Sequence, residues 1–101
     1  MASVRIIKRQ KKRESLVVKY RERRNGLRSC IKSFLFTSGE KLEFQFLLQK
    51  LPKDSNFCRL RKRCFITGRG NGVYSTVGLC RNMFRCYAMN GDIPGIRKSS
   101  W

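Results

Sequence analysis

The chain has 101 residues, with 24 Lys and Arg against 6 acidic side chains and a net charge of +18. That length allows one thin domain at most, and that much self-repulsion calls for a polyanionic partner, most commonly nucleic acid. Acid–base catalysis is disfavoured because there is no His and the carboxylates (Glu14, Glu22, Glu40, Glu43, Asp54, Asp92) are scattered without a recognisable pair; no apolar run approaches the roughly 18 residues of a membrane span, and no secretory signal follows the basic start.

The charge is uneven: residues 1–28 carry net +9, residues 29–58 net +1 and residues 59–101 net +8. The two basic ends are expected to face RNA or DNA, and the near-neutral middle to pack. This division predicts a basic N-terminal helical extension with a middle helix over 1–52, and a C-terminal nucleic-acid-binding module over 53–101.

Residues 3 to about 31 lack Pro, and Leu16, Tyr20, Leu27 and Ile31 fall near one helical face. The pattern predicts a long basic helix, with Asn25-Gly26 as the place for a break. Arg9, Lys12, Arg13, Arg21 and Arg24 are its expected RNA contacts. Its charge density makes it marginal alone, so ordering on an anionic partner is expected.

Thr37 and Glu40 have capping-box spacing, and Leu42, Phe46 and Leu47 recur helically until Pro52 ends the pattern. This short middle helix is expected to be the main apolar contributor to the core. Residues 52–63 read as an extended arm, in which Arg59, Arg61, Lys62 and Arg63 present cations along a path suited to phosphates.

Residues 64–78 contain four of the eight Gly. Cys64–Thr67 and Val73–Val77 are predicted strands of a small hairpin, turning at Gly68, Gly70 and Gly72. Those glycines would let backbone N–H groups approach phosphate, and Arg69 is the foremost expected contact there. Phe65 and Tyr74 are stacking platforms or core with equal weight. Residues 79–90 predict a C-terminal helix carrying Arg81 and Arg85 at i,i+4, with Gly91 as its cap. Pro94-Gly95 then turns the chain into a tail with Arg97, Lys98, Ser99, Ser100 and Trp101, expected to dock on RNA. The fold class is therefore mostly α with irregular extended segments, a small β-hairpin and little independent core.

The spaced elements Lys62-Arg63-Cys64, Thr67-Gly68-Arg69, Gly72-Val73-Tyr74, Gly78-Leu79, Arg81, Phe84-Arg85, Ala88, Gly91, Pro94-Gly95 and Lys98 to Trp101 are specific. With the LQKLPKDS segment from Leu48 to Ser55, they resemble the small-subunit ribosomal protein S-fourteen family over residues 48–101. The resemblance implies a structural constituent of the head of the small ribosomal subunit. It implies binding to small-subunit ribosomal RNA, support of the decoding region, and small-subunit proteins S-three, S-ten and S-nineteen as neighbours. It implies no catalysis, no cofactor, no small-molecule substrate and no membrane.

One type of that family holds zinc with Cys-x2-Cys, a 12-residue gap and Cys-x2-Cys. Those positions are Cys64, Thr67, Cys80 and Met83 here, so the sequence resembles the longer zinc-free type. Gly70 stands where the family usually has Pro, and Ser75-Thr76 replace basic residues after Tyr74. The five Cys, an odd count, are expected as reduced thiols. The long form and the NGDIPG segment resemble proteobacterial versions, which implies a mitochondrial ribosome, with plastid or bacterial cytoplasm as the alternative. The rival readings are a zinc-ribbon nucleic-acid binder outside the ribosome and a cationic membrane-active peptide.

Overall fold

The computed structural model describes residues 1–100. The chain groups into two compact units, Lys8–Leu60 and a second made of Met1–Ile7 with residues from Arg61 onward. Mostly helical structure with one small hairpin and almost no buried core is what the sequence predicts. Leu51, Cys64 and Cys80 are the buried apolar side chains among the described residues.

Helix α1 runs unbroken over Val4–Lys32. The break expected at Asn25-Gly26 does not occur. Nothing lies within 4 Å of a Cβ placed on Gly26, and a solvent-facing Gly costs a helix only about 1 kcal/mol. The carbonyl of Ser3 accepts from the N–H groups of Ile6 and Ile7 at the start.

In the unit Lys8–Leu60, helix α2 spans Ser38–Lys50. Its start follows the expected box: the Glu40 carboxylate accepts from the Thr37 N–H at 2.8 Å and from the Thr37 hydroxyl at 3.2 Å. The role expected of α2 does not hold, because none of its residues is buried and Leu42, Phe46 and Leu47 are exposed. Its inner face makes one aromatic pair, Phe36–Phe44, at 5.0 Å and 77°. Phe34 and Leu35, in the connection before it, are 99% and 90% exposed. The segment expected to be an extended arm begins instead with two 3-10 turns, Lys53–Ser55 and Phe57–Arg59. Short polar residues favour this: the Asn56 side chain accepts from the Cys58 N–H at 3.3 Å. Arg24 fastens the turns to α1, its Nε donating to the buried Ser55 hydroxyl at 2.9 Å and its Nη2 to the Pro52 carbonyl at 3.1 Å.

In the other unit the hairpin is shifted from its expected place. Strand β1 is Val73–Tyr74 and strand β2 is Leu79–Cys80, antiparallel, with Val73 opposite Cys80 and Tyr74 opposite Leu79. The reversing turn is residues 75–78, closed by the Gly78 N–H donating to the Tyr74 carbonyl at 2.7 Å. Residues 64–69 form a separate tight loop, in which Cys64 N–H donates to Arg69 O and Gly68 N–H to Cys64 O. The β-branched residues that suggested a strand at 64–67 are overridden because Gly68, at φ +73°, folds the chain back at once. The Phe65 N–H donates to Gly78 O at 2.9 Å and ties loop to hairpin, while Ala2 N–H donates to Thr67 O at 3.2 Å. Helix α3, Arg81–Met89, ends as the sequence predicts. Gly91 N–H donates to Ala88 O and Asp92 N–H to Tyr87 O around a left-handed Gly91, the pattern of a Schellman cap.

Candidate nucleic-acid interface

Tyr74 projects from β1, half exposed, and its ring meets Phe84 of α3 at a centroid distance of 4.9 Å and a tilt of 52°. Around this pair lies an open groove of about 980 Å³ between the hairpin, α3 and the tail. Arg81 and Arg85 line it from α3, and Arg97, Lys98 and Ser99 from the tail. Among the described residues no carboxylate lines it. The fold thus brings six residues anticipated as RNA contacts, Tyr74, Arg81, Arg85, Arg97, Lys98 and Ser99, into one basic, aromatic concavity. The i,i+4 spacing of the two α3 arginines puts both on one face. Pro94 and the left-handed Gly95 bring the tail to that face. Ser100 is exposed; Trp101 lies outside the described residues.

A second cationic cleft, of about 500 Å³, occupies the unit Lys8–Leu60. Lys8, Arg9, Lys12 and Arg13 come from α1, and Arg59 from the second 3-10 turn. Asp54 stands among them, 2.9 Å from Arg59 Nη1 and 3.4 Å from Arg13 Nε. Two anticipated RNA contacts therefore share one carboxylate. Arg21 is exposed farther along α1 and lines a third cleft with Arg24.

Several other anticipated cations are engaged inside the chain. Arg24 holds Ser55 and Pro52. Arg61 Nε donates to Gly70 O at 2.9 Å, and its Nη2 donates to the Asn71 side chain. Arg63 Nη1 donates to Gly68 O at 3.1 Å. Lys62 is exposed between them. The Gly68 N–H, expected to approach phosphate, is occupied by Cys64 O, and Gly68 itself is buried. Gly68 instead shapes the loop that presents Arg69, whose side chain is half-buried.

Behind the loop, Cys64 and Cys80 are 3% and 1% exposed. Thr67 Oγ1 lies 3.8 Å from Cys80 Sγ. Burial pushes the Cys64 thiol up, but hydrogen bonds outweigh it: from the Thr67 side chain and backbone and from the backbone of Cys80 and Ile66. The balance lowers it from 9.0 to about 6.

The family described as ribosomal protein S14p/S29e matches residues 47–100. The chain is 46% identical over 101 residues, the whole of both chains, to "Small ribosomal subunit protein uS14" of Francisella philomiragia subsp. philomiragia. It is equally similar to the same protein of Francisella tularensis subsp. novicida, and 48% identical, again over the whole of both chains, to "Small ribosomal subunit protein uS14c" of Euglena longa. The chain belongs to the ribosomal protein S14p/S29e family.

The Cys64 loop holds two of the four positions, Cys64, Thr67, Cys80 and Met83, whose spacing resembles a four-cysteine zinc pattern. The donors here are two thiols, the Thr67 hydroxyl and the Met83 thioether. Structural zinc takes four thiolate or imidazole ligands in a closed tetrahedron, and this set does not fit it. Among the described residues no three His, Cys, Asp or Glu side chains group as a metal site. A hydrogen bond between the Thr67 hydroxyl and the Cys80 sulfur, with that of the Phe65 N–H to Gly78 O, holds the loop against the hairpin.

Sequence reasoning missed Asn82 and Phe84 in the groove and Lys8 in the second cleft. Helical spacing places Lys8 beside Lys12, which was a usable signal. Nothing in the sequence marks Arg24, Arg61 or Arg63 as internally bound, because their partners are backbone carbonyls and side chains joined only by the turns.

Proposed function

We propose that this chain is a non-catalytic structural constituent of the small ribosomal subunit, binding small-subunit ribosomal RNA in the head and supporting the shape of the decoding region. Family membership over the full length carries this reading. The groove at Tyr74, Arg81, Arg85, Arg97 and Lys98, with no carboxylate among its described lining residues, supports it, because cations along a path with an exposed aromatic face suit RNA phosphates and unpaired bases. Arg9, Lys12, Arg13, Arg21 and Arg59 in the unit Lys8–Leu60, and Lys62 and Arg69 in the other unit, are further proposed phosphate contacts. Arg24, Arg61, Arg63 and Gly68 contribute by holding the segments that present them. Ser99, Ser100 and Trp101 continue the contact along the tail. Small-subunit proteins S-three, S-ten and S-nineteen are its proposed neighbours.

We further propose the zinc-free form of the family, on the donor set at Cys64, Thr67, Cys80 and Met83. The compartment is a ribosome of bacterial descent. The relatives from Francisella and Euglena longa weigh toward a bacterial or plastid ribosome, ahead of the mitochondrial one that the sequence suggested. The test is sedimentation of the tagged chain in extracts of its native cell and of its purified organelles. Co-migration with small subunits and crosslinking to their RNA are expected; a chain found only free or with other RNAs would overturn the proposal.

A further inference from the structure

Resting on the reading of this chain as an RNA binder, we propose that the groove between the hairpin, α3 and the tail holds an unpaired nucleotide of single-stranded RNA, its base stacked on Tyr74. A basic surface alone grips any phosphate backbone, duplex or not, through charge. This groove adds features that charge does not require.

The first is an aromatic ring held in a fixed attitude. Phe84 braces the Tyr74 ring from α3 at 4.9 Å, while half of the Tyr74 surface remains open. The ring does not have to be ordered by its ligand, so the entropy of immobilising it is already met by the fold. Base-on-aromatic stacking needs such a face and is unavailable to a base inside a duplex.

The second is the distribution of unengaged cations. Arg24, Arg61 and Arg63 make hydrogen bonds within the chain, and Arg13 and Arg59 share Asp54. The side chains of Arg81 and Arg85 on one wall, and of Arg97 and Lys98 on the other, have no hydrogen-bond or ion-pair partner among the described residues. With no carboxylate among the described lining residues, the walls complement phosphates on either side of a base set between them. An opening of about 980 Å³ is of the size that takes a small organic ligand and so accommodates a nucleoside with its flanking phosphates. The Asn82 amide lines the same groove and offers both a donor and an acceptor to a base edge.

The test uses the full chain with three probes at matched ionic strength: a short single-stranded oligoadenylate carrying one 2-aminopurine, an RNA duplex of equal charge, and an oligoglutamate peptide. In the unaltered chain the 2-aminopurine fluorescence should be quenched on binding. Tyr74→Leu should weaken the single strand by about 5- to 150-fold, the range for loss of one stacked base, and leave the duplex within about twofold. Tyr74→Phe should keep both affinity and quenching, and it covers the case in which the leucine variant does not fold. Absence of quenching in the unaltered chain, or equal losses for single strand and duplex in Tyr74→Leu, would overturn the stacking site while leaving RNA binding intact. Oligoglutamate displacing the single strand at equal charge concentration would instead make the groove a protein-docking surface. Binding to none of the RNA probes would count against the RNA-binding reading itself.

Discussion

The hydroxyl of Ser55 accepts a hydrogen bond from Arg24 Nε at 2.9 Å, across 31 positions of sequence. Ser55 is buried, and the same guanidinium reaches the Pro52 carbonyl. Removing the cation strips the first 3-10 turn of both these hydrogen bonds to α1 and leaves it the Arg13–Asp54 ion pair. Arg24→Ala should destabilise the unit Lys8–Leu60 by about 1.5–2 kcal/mol, the lower part of the range for hydrogen bonds from a charged donor. Arg24→Lys should recover less than half of this, since one ammonium cannot reproduce a planar fork. Amide hydrogen exchange over residues 53–60 will read the loss; unchanged protection would show that the tie is dispensable.

Asp54 occupies two cations that face the second cleft. Such pairs, a quarter to nearly half exposed, stabilise by only about 0–1 kcal/mol. Asp54→Asn should therefore keep the fold, free Arg13 and Arg59 for phosphate, and tighten RNA binding most at low salt. Equal or weaker affinity at about 50 mM salt would show that the carboxylate positions Arg59 instead of restraining it.

Gly68 sits at φ +73°, and a Cβ there would lie 2.9 Å from Ile7 Cδ1 and 3.4 Å from Ala2 Cβ. The Ile7 side chain can yield, so the larger cost is the left-handed backbone. Gly68→Ala should lower stability by about 1–3 kcal/mol and loosen the start of α1. Gly26→Ala, in open space inside a helix, should stabilise by about 0.5–1 kcal/mol. Parallel thermal melts of the two variants with RNA bound would expose an error in either sign.

The Cys64 thiol, lowered from 9.0 to about 6 by its hydrogen bonds, links stability to pH. The folded state favours the thiolate, so its contribution is complete above about pH 9, declines as pH falls, and is gone once pH drops through about 6. Stability should therefore rise with pH across that window, and Cys64→Ser should remove the rise. Melting midpoints of both chains from pH 5.5 to 9 provide the comparison; parallel curves would mean that the thiol is not ionised in the fold.

Net charge +18 predicts binding dominated by phosphate contacts. If about 6–10 phosphates are neutralised, affinity for a head-region RNA fragment should fall roughly 10³- to 10⁵-fold between 50 and 200 mM salt. A nearly flat salt dependence would put the binding energy elsewhere.

Local chemistry was legible from the sequence alone. The Thr37–Glu40 helix start, the stop before Pro52 and the Gly91 cap each depend on residues within a turn of one another, and each formed as spacing predicts. The spaced motif from Lys62 onward was enough to point to the family, and net charge to a polyanionic partner. Tertiary contacts decided the rest. Phe65 N–H pairs with Gly78 O, and β1 pairs with residues 79–80, not with the β-branched run at 66–67, because strand pairing is settled by which turn closes the chain. Which cations remain free was also illegible. Arg24, Arg61 and Arg63 look the same in sequence as Arg81, Arg85 and Arg97. Only the folded backbone brings carbonyls and a buried hydroxyl against the first three and leaves the others around Tyr74 without a partner among the described residues.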